Sequence, residues 1–171
     1  MPMSDYVRDL RSRIGNRLLL APSVTGFVLD ESERVLLVRH SNGNVWVAPG
    51  GAVDPDEAPQ DAVVREVWEE TGLHVEPVRI CGVFGGPDCR VVYENGDVTS
   101  YVMAVYACRV LGGTLQADGV ETLEARWFAA SELATIALSR WARVVLPELL
   151  RRPDDVYIPP VEWRPPVASS G

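Results

Sequence analysis

Four glutamates and one arginine carry the chemistry that this sequence suggests. Glu57, Arg65, Glu66, Glu69 and Glu70 stand close together in the stretch GGAVDPDEAPQDAVVREVWEETGL, which runs from Gly50 to Leu73. With Glu66 set at zero on a helix, Glu70 falls at about 40° and Glu69 at about 300°, so the three carboxylates share one arc. Val64, Val67, Trp68 and Thr71 fall on another stripe, expected to pack inward while the acids face outward. Glu69 and Glu70 occupy the last turn before Gly72, where the helix dipole disfavours negative charge. Arg65 is the one cation in the segment and reaches Glu69 at i+4, which leaves most of the acids uncompensated. A solvated charged face is the bland reading, and a bound divalent cation is the reading that supplies the missing charge. Hard cations take oxygen ligands, and Mg²⁺ usually combines a few carboxylates with water and substrate phosphates. A Gly50 backbone carbonyl adds a further candidate ligand. No His or Cys lies in the cluster, which argues against zinc.

The elements that must position these groups are legible as patterns. Asp54-Pro55-Asp56 supplies turn and cap chemistry, a helix is predicted from about Ala58 to Thr71, and Gly72 fits as its terminator. Before it, Val24 to Leu29 and Arg34 to Arg39 read as a hairpin around the polar turn Asp30–Glu33. Val45-Trp46-Val47-Ala48 then delivers the chain to Pro49-Gly50-Gly51. After the helix come β-rich runs at Val75–Phe84, Arg90–Tyr93, Thr99–Val110 and Ala125–Phe128, with Asn95-Gly96 as a hairpin turn. Ser131 to Leu150 reads as mostly helical, divided or kinked at Pro147. At the start, Val7, Leu10 and Ile14 are spaced for a short amphipathic helix over Asp5–Ile14 with its charges outward. These patterns divide the chain into an N-terminal helical extension (1–22), a central domain (23–152) and a proline-rich tail (153–171).

Gly51, Glu57 and the run Arg65-Glu66-Val67-Trp68-Glu69-Glu70-Thr71-Gly72-Leu73 resemble the Nudix box of the Nudix hydrolases, with every fixed position filled. The RVLLVR strand, the Trp46 and Pro49-Gly50-Gly51 approach, and Glu124-Ala125-Arg126-Trp127-Phe128 are similar to flanking family features, so the likeness covers roughly Val24 to Leu150. The resemblance implies an α/β (α+β) fold, an α/β/α sandwich around a mixed β-sheet. It also implies Mg²⁺- or Mn²⁺-dependent hydrolysis of a nucleoside diphosphate linked to another moiety. Carried onto this chain, it makes Glu66 and Glu70 metal ligands, Glu69 a ligand or base, Glu57 a supporting carboxylate and Arg65 an orienting residue. Family members differ in their general base, so Glu121 and Glu124 stand beside Glu69 as candidates. Arg39 and Arg90 are candidate phosphate partners, and Trp46, Phe84, Tyr93 and Tyr101 candidate stacking residues, although core or surface roles compete for each. Pro87 resembles a position seen in ADP-ribose-type members and gives a lean toward ADP-ribose or a nucleotide sugar. His40 and His74 show no partner pattern and read as structural or surface residues. A non-catalytic sensor of nucleotide derivatives is the competing function, weakened by the intact box.

Composition narrows the partners. The formal net charge is −8, and the stretch Asp54–Glu76 alone holds eight acids against one arginine. No basic stripe is present to displace counterions from nucleic acid or anionic membrane. The sequence shows no leader-like segment and no apolar run long enough for a membrane span, so cytoplasmic residence is expected. Cys81, Cys89 and Cys108 lack CxxC spacing and read as free buried thiols. The N-terminal helix and aromatic tail leave room for a homodimer.

Overall fold

The structure is a computed structural model describing residues 4–164. Helix α1 (Asp5–Ile14) opens the chain, followed by β1 (Leu19–Val28), β2 (Val35–His40), β3 (Trp46–Val47) and β4 (Gly50–Ala52). Helix α2 (Pro59–Thr71) leads into β5 (Leu73–Phe84), β6 (Arg90–Val92), β7 (Val98–Gly113), β8 (Thr122–Phe128) and α3 (Arg140–Arg151). One sheet runs in the order β4-β1-β7-β5, with β6 also paired to β7, and the second runs β3-β2-β8. The first is mixed, because β1 and β7 pair in parallel from Leu19–Thr99 to Val28–Cys108 while its other pairs are antiparallel.

Alternation along β1 divides the core into two layers. Val24 and Val28 point to one face and join Ala62, Val63 and Val67 of α2 with Leu73, Val75 and Cys108. Phe27 points the other way and joins Val35, Leu37, Val105 and Phe128 with Trp141, Val145, Leu146 and Leu149, the last four from α3. Helices therefore cover both sides of the strands, and the expected α/β/α sandwich is the fold.

Four local expectations are corrected. The β1–β2 hairpin is reduced to a single Leu29–Val35 bridge, because β7 and β4 occupy both edges of β1 while β3 and β8 occupy those of β2. The break in the last helical region falls at 136–139 rather than at Pro147, which sits inside α3. There Trp46 donates its N–H to Ala137 and accepts from Ser139, and the Ser139 hydroxyl caps α3 by accepting the Ala142 N–H.

The third correction concerns α2, whose buried face is Ala62, Val63, Glu66, Val67, Glu70 and Thr71, while Trp68 is 53% exposed. The inward stripe is thus centred on the carboxylates rather than turned away from them. Its end is as expected: Gly72 takes a left-handed φ of 68° and returns its N–H to the Trp68 carbonyl.

Helix α1 matches its predicted span, but not all its charges face outward. Arg11 is buried at 9% exposure. Asn95-Gly96 turns β6 into β7 as expected, with Gly96 donating to the Tyr93 carbonyl. In the tail, the Tyr157 N–H donates to Cys81 and its ring lies 6.1 Å from that of Phe84. Residues 165–171 of the tail lie outside the described residues. All three cysteines are free and buried, and burial pushes the Cys108 thiol up to about 12. No helix among the described residues is long and apolar enough to cross a membrane.

Candidate functional site

Helix α2 brings Glu66 and Glu70 one turn apart against β4, at only 8% and 5% exposure. Glu70 accepts the Gly50 N–H at 2.9 Å through Oε2, and its Oε1 lies 3.3 Å from His40 Nε2. Gly51 makes room for Glu66: a Cβ on this residue would stand 2.6 Å from the Glu66 carboxylate, so any larger residue would displace it.

Arg65 organises the remaining acids. Its guanidinium grips Glu57 as a two-pronged fork, Nε to Oε1 at 2.7 Å and Nη2 to Oε2 at 2.8 Å. It also donates to Glu66 at 2.8 Å, to Glu69 at 3.2 Å and to the Ala52 carbonyl at 3.2 Å. The i+4 contact with Glu69 exists, but the firmer grip is on Glu57. Those hydrogen bonds hold the Glu57 carboxyl below its ordinary range, an effect that burial opposes.

Glu66 behaves in the opposite way. Burial drives its pKa up to about 7, the Arg65 hydrogen bond and charge oppose this, and the Glu70 and Glu69 charges add to it. Burial works to lower the His40 pKa, yet the hydrogen bond and charge of Glu70 outweigh it and the net shift is upward. Among the described residues no group of three or more His, Cys, Asp or Glu side chains is arranged to hold a metal ion. What α2 presents is an open pair of buried carboxylates short of positive charge. That donor set suits a hard cation completing its shell with water and phosphate oxygens.

A cavity of about 520 Å³ opens beside this pair. Gly50, Gly51, Arg65, Glu66, Glu70 and His40 line one end, and Arg11, Tyr93, Asp97 and Tyr101 line another part of its wall. The Tyr93 and Tyr101 hydroxyls are 2.6 Å apart. Burial and the neighbouring Tyr101 raise the Tyr93 pKa well above its usual range.

The candidate site residues divide between this cavity and other places. Of the proposed bases, Glu121 lines the cavity. It lies in a loop fixed by Asp118, whose Oδ1 accepts the N–H groups of Val120, Glu121 and Thr122. Glu69 is exposed at the rim of the carboxylate cluster, and Glu124 pairs with Arg39 at 3.3 Å on the β2–β8 ladder. Arg39, Trp46, Phe84 and Arg90 are not among the cavity-lining residues. Trp46 packs edge-on against Phe128 at 4.7 Å, Phe84 is buried in the core, Arg39 also bonds Asn44, and Arg90 is exposed on β6. Pro87 begins a short turn leading to Cys89, and it is Cys89 that lines the cavity.

His40, Arg11 and Asp97 are residues that sequence reasoning missed. His40 directly follows the RVLLVR strand, and this adjacency was its one available signal. Arg11 and Asp97 carried none, because 86 positions of chain separate them.

The family model described as NUDIX domain matches residues 19–149. The chain belongs to the Nudix family. Among curated Nudix relatives and similar proteins, a MutT-like protein from Streptomyces ambofaciens is 34% identical over 112 residues, covering 66% of this chain and 66% of its own length. An ADP-ribose pyrophosphatase from Methanocaldococcus jannaschii is 34% identical over 134 residues, covering 76% and 73%. The alignments to the Streptomyces protein and to a putative 8-oxo-dGTP diphosphatase from Bacillus subtilis span 66% and 64% of those proteins' lengths. Among solved structures, an ADP-ribose pyrophosphatase from Streptococcus suis aligns with a TM-score of 0.62 at 26% identity, covering 80% of this chain and 94% of that one. A UDP-X diphosphatase aligns with a TM-score of 0.65 at 21% identity over 92% and 75%, a likeness of fold.

Proposed function

We propose that the protein is a Nudix pyrophosphohydrolase that cleaves the phosphoanhydride bond of a nucleoside diphosphate linked to a second group. The observation that carries this reading is the buried Glu66–Glu70 pair at one end of the cavity, held beside backbone that approaches closely only because residue 51 is glycine. Two adjacent carboxylates in low dielectric are costly unless a cation accompanies them. Glu66 and Glu70 would hold Mg²⁺ or Mn²⁺, with Glu57, Glu69 and the Gly50 backbone as supporting groups. When bound, the ion supplies charge neutralisation for the phosphate oxygens.

The residues of the chain supply the rest. The Arg65 fork keeps Glu57 and Glu66 in fixed orientations, and the Gly50 N–H and His40 do the same for Glu70. In the reaction one water O–P bond forms, the bridging P–O bond breaks, and the water's proton passes to a carboxylate. Glu121, which lines the cavity, and Glu69, at the rim of the carboxylate cluster, are the candidates for that role. The cavity volume suits a nucleotide-sized ligand, for which about 300–1,000 Å³ is usual. The names of the Methanocaldococcus and Streptococcus relatives support a lean toward ADP-ribose or a nucleotide sugar.

Turnover of ADP-ribose, nucleotide sugars, dinucleoside polyphosphates, NADH and nucleoside triphosphates with Mg²⁺ or Mn²⁺ tests the proposal. Metal-dependent release of a nucleoside monophosphate from a diphosphate-linked compound is expected. Binding without product across the whole panel would favour a sensor instead.

A further inference from the structure

The cavity wall away from the glutamates is built by residues that the anhydride chemistry does not use. Helix α1 lies outside the family match at 19–149, yet Ser4, Val7 and Arg11 line the same cavity as Glu66 and Glu70. Arg11 fixes the helix there. Its guanidinium donates to the carbonyls of Gly15, Arg17 and Val98 and to the Thr99 hydroxyl, and Nε lies 3.7 Å from Asp97. The floor is the odd-numbered face of β1 and β7, where Ser23 and Thr25 lie beside Met103, and Tyr101 and Thr99 follow toward α1. Thr25 stands opposite Gly50, at the carboxylate end, and Leu19 stands opposite Thr99. Between these two levels the strand advances about 20 Å, enough for ring systems beyond a diphosphate.

One polar atom on this floor lacks a partner. Ser23 is 7% exposed, lines the cavity, and its hydroxyl oxygen is buried with no hydrogen bond. Thr25, two residues on, differs in donating its hydroxyl to Met103 Sδ at 2.9 Å. A buried hydroxyl left unpaired costs free energy, so its retention points to a partner that arrives with a ligand. The charges specify what kind of ligand. Among the described lining residues toward α1 the cation is Arg11, already engaged with four acceptors and Asp97, while the Tyr93–Tyr101 pair and, nearer the glutamates, Ser23 opposite Ala52 offer neutral hydrogen-bonding groups. A second phosphate finds no uncommitted positive charge here, whereas an uncharged heteroaromatic or hydroxyl-bearing ring finds both stacking surface and hydroxyls.

We propose that the cavity beyond the glutamates, from Ser23 toward α1, binds the uncharged ring system, base or pentose, of the nucleotide, with the Ser23 hydroxyl as its hydrogen-bond partner and α1 as its wall. The proposal rests on the hydrolase reading for the placement of the diphosphate. Ser23 is then a specificity residue, and the N-terminal extension is part of the binding site.

Isothermal titration with Mg²⁺ and two non-hydrolysable probes, α,β-methylene-ADP-ribose and methylenediphosphonate, tests it. Ser23→Ala is expected to weaken the nucleoside-bearing probe about tenfold while leaving methylenediphosphonate unchanged. Its unliganded thermal midpoint should be equal or higher, since the substitution removes an unpaired hydroxyl, whereas a structural role for Ser23 would lower it. Val7→Trp, which fills the cavity from the helix side, should weaken the same probe at least as much, and Tyr6→Ser on the exposed side of α1 should not. AMP and ribose 5-phosphate then separate the sources, because the Ser23→Ala loss follows whichever of base or pentose contacts the hydroxyl. Wild-type affinity in both Ser23→Ala and Val7→Trp, or wild-type binding of the nucleoside-bearing probe no tighter than that of methylenediphosphonate, overturns the proposal. Tight, Ser23-dependent binding without turnover of any panel compound would remove the hydrolase reading and leave the ring site standing.

Discussion

The two ends of the cavity hold charge in different ways. At the glutamate end, two buried carboxylates lie beside each other and one arginine is shared among Glu57, Glu66 and Glu69, so acid exceeds base. At the α1 end, Arg11 meets Asp97 and donates to three carbonyls and the Thr99 hydroxyl, so the charges are balanced and the guanidinium is held on several sides. On the proposed reading the imbalanced cluster takes a counter-ion, whereas the balanced one is a fastening. Substitutions of the charged groups should therefore have opposite signatures at the two ends, with activity lost and fold kept at the first, and fold weakened at the second.

The largest effect expected is on turnover. Glu66→Gln and Glu70→Gln each keep the shape and remove the charge, so hydrolysis should fall by about a thousandfold while circular dichroism is unchanged and the thermal midpoint does not fall. Near-normal rates in either variant would remove that residue from the proposed metal site. Arg11→Met comes next and acts on stability. It leaves Asp97 and several carbonyls without their donor, at a cost of about 3 kcal/mol, because removing one partner of a buried pair strands the other. Hydrogen exchange across residues 5–17 and denaturant titration should both report the loss. If Arg11→Met leaves both unchanged, the contrast between the two ends fails.

A third prediction uses the imbalance itself. In the unfolded chain Glu66 titrates near its ordinary 4.5, and in the fold burial moves this to about 7. Between these values the folded protein keeps a proton that the unfolded chain has released. The stabilisation is present in full below pH 4.5 and is lost as pH rises through 7. In chelator, wild type should lose stability on the order of 3 kcal/mol more than Glu66→Gln between pH 4.5 and 7.5. Parallel pH profiles for the two proteins would mean that the Glu66 carboxyl is not held short of a counter-ion.

Legibility in the sequence follows the same division. The glutamate end comes from one helix and the turn before it, so 3.6-residue periodicity and glycine placement were enough to find Glu66, Glu70, Arg65 and Gly51. Even there the pattern misjudged orientation. Trp68 reads as core and Glu66 as surface by residue type, whereas the helix buries the acids and exposes the indole. Periodicity assigns faces by hydrophobicity and fails where a site buries charge on purpose. The α1 end joins residues 4–11 and 91–101 and meets the glutamate end at residues 23–25 through the parallel pairing of β1 with β7, and no local spacing encodes that register. The aromatic candidates divide on the same ground. Tyr93 and Tyr101 reach the cavity while Trp46 and Phe84 go to the core, a distinction fixed by strand facing and not by residue type.

The smallest effect sharpens the comparison within one short stretch. Glu121 and Glu124 are three positions apart, and both lie near the start of β8, yet their surroundings differ. The loop held by Asp118 places Glu121 on the cavity wall, whereas Glu124 sits across the ladder from Arg39 and is paired to it. A general base contributes about 10²- to 10⁴-fold, so Glu121→Gln should lower kcat by at least about a hundredfold and remove the acidic limb of the pH–rate profile. Glu124→Gln breaks only a partly exposed ion pair, worth about 1 kcal/mol or less, and should change kcat by less than about threefold with the profile intact. Glu69→Gln provides the remaining comparison. If the acidic limb disappears in that variant and persists in Glu121→Gln, the proton acceptor lies on α2 and the loop serves only to shape the cavity.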